Sequence, residues 1–177
     1  RRVLFRSRVA AQAWQAADSV SRLSIPANAE IAEPVRVNYQ GTGSVDYGQL
    51  DVEVGANARA TVILEHSGKG TLAANVDIHV ADGAALTFVS VQDWAAGSVH
   101  LSHHRITLGK DATIKHVLVT LGGDVVRILP SVNYAAPGGG ADMLGLYFAA
   151  AGEHAEQRLF VDHSVENCRS NVVYKGA

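Results

Sequence analysis

Only one cysteine occurs in the 177 residues, Cys168, with His163 five residues before it and Arg169 directly after. A thiolate near an imidazole and a guanidinium could bind a metal ion or carry sulfur, because positive neighbours favour the ionised sulfur. Cys168 and His163 are therefore the candidate ligands. The opposing reading is packing. Free cysteine behaves as a small apolar residue, and small residues recur through the chain where Cys168 stands in its own segment.

Eight histidines offer a second chemistry, with His100, His103 and His104 close together. Imidazoles at short spacing can share an ion. Here the surrounding alternation is that of a strand, which sends His103 and His104 to opposite faces. His100 and His104 share a face but stand about 13 Å apart along an extended chain, too far to share one ion. They are expected to be solvated or to meet residues on neighbouring strands. Ser67-Gly68-Lys69-Gly70-Thr71 lacks the leading glycine of a phosphate loop, has Gly after its Lys, and opens no helix. Asp93, Glu153, Glu156 and Asp162 show no spacing that singles out an acid–base pair. No catalytic apparatus is visible in the residues.

Residues 8–36 form a lead-in: alanines and Trp14 favour a short helix or an irregular segment over 8–20, and Pro26 and Pro34 bound an extended stretch from Ile25 to Val37. Residues 1–7 do not read as the start of a domain. Val3 to Ser7, with the arginine before them, resemble a translated sequencing adapter, and Val3 to Phe5 is too short an apolar core for a signal peptide.

From about Val37 the apolar period becomes two, as in β-strands. Val52 and Val54, Ile78 and Val80, Ile106 and Leu108, Val132 and Tyr134, and Leu159 and Val161 are alternating pairs. A turn rich in Gly, Asn, Asp or Pro follows each pair, and then one small residue: Ala58, Ala84, Ala112, Ala141 and Cys168, spaced 26, 28, 29 and 27 residues apart. Units of that length, each too small to bury its own apolar face, stack into a solenoid. Residues 37–177 are thus expected to be an all-β core with coils of about 27 residues. That core reads as continuing past Ala177. A sandwich of hairpins and a cupin-like, metal-dependent β-barrel enzyme are the other all-β solutions, and a generic β-solenoid binding module is the rival role for the same fold.

Bulk properties narrow the function. A net charge of −2 at pH 7 gives no nucleic-acid footprint and no polybasic membrane patch. A lone cysteine makes no intramolecular disulfide, and a reducing, cytoplasmic home is the default.

The stretch from Val45 to Gly176 resembles the SufB/SufD family, the β-helical subunits of the SUF iron–sulfur cluster assembly scaffold, and is closer to SufD. The resemblance is carried by Gly70-Thr71-Leu72-Ala73-Ala74-Asn75-Val76, Ser90-Val91-Gln92-Asp93-Trp94 and Leu144-Gly145-Leu146-Tyr147-Phe148. More specific is the run Phe160-Val161-Asp162-His163-Ser164 continuing through Cys168-x-Ser170 to Tyr174-Lys175-Gly176. It implies a right-handed parallel β-helix and a non-catalytic scaffold subunit. Its partners would be a SufB-like subunit through the β-helix and the SufC ATPase through a C-terminal domain beyond Ala177. No cofactor would be bound by this chain alone, while a transient Fe–S cluster would form in the full complex.

Overall fold

Alternating apolar residues put one side of each strand inward from Ser21 onward, and the chain closes that side by coiling. The computed structural model describes residues 7–177. The expectation for residues 1–7 falls outside them except at Ser7, whose hydroxyl accepts the Ala10 N–H and caps helix α1 (Arg8–Ala16).

The strands are β1 (Ser21–Ile25), β2 (Val35–Val54), β3 (Arg59–Val80), β4 (Ala85–Trp94), β5 (Val99–Leu108), β6 (Thr113–Thr120), β7 (Val125–Tyr134), β8 (Gly140–Tyr147), β9 (His154–Gln157), β10 (Phe160–Asp162) and β11 (Arg169–Gly176). Every pairing between them is parallel. That makes the fold a parallel β-solenoid and excludes both the hairpin sandwich and the cupin-like barrel.

Two sheets face each other across the lumen. The front sheet stacks β1, the second halves of β2 and β3, then β5, β7 and the interrupted β9–β10. The back sheet stacks the first halves of β2 and β3, then β4, β6, β8 and β11.

The corner leading from front to back sheet is an unbroken ladder. Each corner carbonyl, of Ala29, Ala58, Ala84, Ala112 and Gly139, accepts the N–H that follows the corner of the next coil, at 2.8 to 3.0 Å. The residue before each corner, Asn28, Asn57, Gly83, Asp111, Gly138 and Asn167, has a left-handed backbone with φ between 53° and 84°. Asn, Asp and Gly are the types that adopt it at least cost.

Two registers differ from the sequence reading. In the fourth coil Gly139, not Ala141, holds the corner; Ala141 lies two residues on, between Ile114 and Ser170. The corner follows the left-handed residue Gly138, as it does in the other coils, and the ring of Tyr134, within 2.7 Å of where a Cβ on Gly139 would stand, leaves room there only for glycine. In the last front strand Val161, not Leu159, pairs with Val132. The ladder breaks opposite Leu129–Pro130, where proline has no N–H to give.

Inside, the half of the lumen next to this corner is aliphatic, with Val52, Ile78, Ile106 and Val132 in one column. Outside, α1 lies on the front sheet with Ala10 and Ala13 buried, and Asn75 donates to the Ala10 carbonyl at 2.9 Å.

Candidate functional site

Cys168 is the last member of the corner ladder, below Gly139 and Ala112, and is half-buried against the aliphatic core. Its Sγ lies 3.4 Å from the Glu166 carbonyl oxygen and 3.7 Å from that of Ala136. Arg169, the next residue of the strand, turns outward, its Nε reaching over Gly140 of the coil before. Strand alternation therefore separates the guanidinium from the thiol that its sequence position invited it to activate.

His163 is exposed, its ring tilted by 39° against that of Tyr134 with centroids 5.2 Å apart, and its Nε2 is 2.9 Å from the Ser170 hydroxyl. Tyr134 is buried and donates to the Arg169 carbonyl at 2.6 Å; burial pushes its pKa up to about 12. Among the described residues, no three His, Cys, Asp or Glu side chains are grouped so as to hold a metal ion.

Of the two expectations for the clustered histidines, solvation fails, while His100, His103 and His104 do meet residues of other strands. His66, His100, His103, His104 and His116 are all buried. His66, His100, His104 and His116 point into the lumen away from the alanine corner, among Ser90, Gln92, Trp94 and Thr120. His103 points outward and is covered near α1. Because His100 and His104 lie far apart along β5, each meets a different neighbour. Trp94 Nε1–H donates to His100 Nδ1 at 3.1 Å, and the His66 ring packs on His100 at 4.5 Å. His104 Nδ1 and His116 Nε2 are 3.0 Å apart, and His116 stacks on Phe88.

Burial dominates the electrostatics of this seam. It lowers His116 to about 3 and His66 to about 4, the latter against a hydrogen bond to the Val91 carbonyl. It also holds His100 and His104 well below the usual range, each opposed further by its histidine neighbours. All four are neutral at pH 7. Since His100 Nδ1 accepts from Trp94, its proton sits on Nε2, which finds no partner among the described residues. In the His104–His116 contact one ring donates and the other accepts, leaving His104 Nε2 and His116 Nδ1 unpaired. Gln92 extends the seam, donating to Ser90 and accepting from Thr120.

The sequence carried a signal for this. His100-x-Ser102-x-His104 is in phase with Ile106-x-Leu108, the inward set of the same strand. Ser67 to Thr71, by contrast, spans the second corner within β3, where Gly70 N–H bonds the Ser98 hydroxyl at 3.3 Å and no helix follows.

A rung-by-rung parallel stack with a small-residue corner defines the class, a parallel β-solenoid. A family model described as the SufBD core domain of the SUF system for FeS cluster assembly matches residues 36–177. Two curated relatives are iron–sulfur cluster assembly SufBD family proteins of Mycobacterium leprae (strain TN) and Mycobacterium tuberculosis (strain ATCC 25618 / H37Rv). Each is 46% identical over 172 residues, covering 96% of this chain and 44% and 43% of the relatives. The chain belongs to the SufBD family and spans less than half the length of these relatives. Among the described residues, no helix is long and apolar enough to cross a membrane.

Proposed function

We propose that this chain is part of a SufD-like, non-catalytic scaffold subunit that supports iron–sulfur cluster assembly in the cytoplasm. It works in a complex with a SufB-like subunit and a SufC-type ATPase. The observation that carries the reading is the unbroken corner ladder running from Ala29 to Cys168, nearly all of it within the region matched by the SufBD core. A ladder of that kind makes a stiff spine. Its role is positional: nucleotide-driven movement of the ATPase, which docks outside this chain, is transmitted through paired solenoids to the place where a cluster forms.

In this reading the cluster is cargo of the assembled complex, and no cofactor resides on this chain alone. Cys168 serves as the small corner residue of its coil. Of the two candidate ligands, His163 is the exposed one, and its hydrogen bond to Ser170 fixes the closing turn.

Depleting the full-length protein tests the role. The activity of an iron–sulfur enzyme such as aconitase should fall while its polypeptide level holds steady. Unchanged activity under depletion overturns the proposal.

A further inference from the structure

One level of the lumen differs from those above and below it. The inward residues of β5 there are His100, Ser102 and His104, and those of β4 across from them are Phe88, Ser90 and Gln92. Ring contacts fix which columns face. His104 meets Phe88 edge-on at one end of the level, with centroids 6.0 Å apart, and His100 meets Trp94 at the other, at 5.5 Å. Ser102 and Ser90 lie midway along their strands and so face each other.

Their neighbours along the axis are apolar. Ser102 stands between Ala74 and Ile128 in the front sheet, and Ser90 between Leu64 and Leu118 in the back sheet. Continuous parallel ladders hold successive rungs at one spacing, about 4.8 Å. Two facing serines therefore fill their share of the lumen less than Leu118 and Ile128 fill the next.

Hydrogen bonding at this level is incomplete. Ser90 accepts from Gln92 at 2.7 Å, Gln92 accepts from Thr120, and Trp94 serves only Nδ1 of His100. Four polar atoms remain without a partner among the described residues: His100 Nε2, Ser102 Oγ, His104 Nε2 and His116 Nδ1. Their side chains are at most 5% exposed. Buried polar groups are paired as a rule, and leaving one unpaired is costly.

The mixture of donors and acceptors says what would pair them. His100 Nε2 carries a proton, and the Ser102 hydroxyl can give or take one. Of His104 Nε2 and His116 Nδ1, one carries a proton and the other offers a lone pair. A cation needs lone pairs throughout, and His100 presents a proton instead. An anion needs a compensating charge, and none of the buried side chains is a Lys or Arg. Water both donates and accepts, and it needs two to four polar partners.

We infer that this level of the lumen is a binding site for ordered water, seated between Ser90 and Ser102 and bonded by His100 Nε2, Ser102 Oγ and His104 Nε2. The water completes the histidine seam as a structural ligand. The inference is independent of the role proposed above.

A high-resolution crystal structure of the full-length protein, paired with NMR of histidine-labelled protein at neutral pH, tests it. Density for water is expected within about 3.2 Å of Ser102 Oγ and of at least one of the two Nε2 atoms. The His100 Nε2 proton should show a cross-peak to water. Ser102→Ala should shift or remove that water and weaken the cross-peak, while the Trp94–His100 hydrogen bond persists. Rings that bond one another or other protein atoms, with no water between them, would overturn the inference. So would anomalous scattering from a metal or halide ion at the site, or water that is unchanged in Ser102→Ala.

Discussion

Cys168 stands at a corner that Ala58, Ala84 and Ala112 occupy with a methyl group and Gly139 with none, and its sulfur faces backbone carbonyls rather than a cation. Cys168→Ala is therefore expected to cost no more than about 1 kcal/mol, measured by denaturant unfolding, and to leave cluster maturation intact. Loss of maturation at normal protein level would give the thiol a chemical role. The buried histidines make a stronger demand. Their folded-state pKa values lie below the ordinary value near 6.5, so below that pH the unfolded chain binds more protons than the folded one. The protein should lose stability as pH falls from about 6.5 toward 4, each such imidazole adding a slope of about 1.4 kcal/mol per pH unit. His116 shares its column with Val62, Phe88, Met143 and Val172, so His116→Met should keep the fold and flatten that slope. An unchanged slope would contradict the assignment. Inward phase was readable at His100 and His104. The partners were not, because Trp94 and His116 reach them across corners, and strand alternation alone says nothing about which rung lies opposite.

Coil length and corner chemistry were legible in the spacing of small residues, and strand boundaries followed the turn residues. The fourth coil departs from the small-residue spacing because its corner is Gly139, the middle one of three consecutive glycines, while the first alanine after them, Ala141, already lies in the strand row of Ile114 and Ser170. Turn conformation gives a direct test. Gly138 has φ +84°, and a Cβ there would collide with the Asp111 carboxylate, so Gly138→Val should destabilise by about 2 kcal/mol. Asn57→Gly, at the same turn position three coils earlier, should change stability by less than about 0.5 kcal/mol. Equal effects of the two would show that left-handed geometry does not govern the corner. The lead-in helix is held by Asn75, which is buried on the front sheet and reaches the Ala10 carbonyl. Asn75→Ala should lower hydrogen-exchange protection across α1 while leaving β5 and β7 protected. That contact joins residues 65 positions apart, and neither helix propensity nor strand period encodes it.

As a whole the chain is a stack in which each coil contacts its neighbours through a continuous parallel ladder, so rigidity rather than a pocket is what the fold supplies. A rigid spine suits a subunit that holds others in place, and the SufBD relationship gives that spine a setting in iron–sulfur cluster assembly. Such a subunit is defined by the company it keeps. The decisive measurement is purification of the tagged full-length protein from its own host under anaerobic conditions, with subunit stoichiometry and metal content read together. A complex should be recovered that contains a second SufBD-type subunit and an ATPase, with iron and sulfide present only in the assembled complex and absent from the separated subunit. Recovery of this protein alone, carrying a stoichiometric metal ion, would contradict the scaffold role.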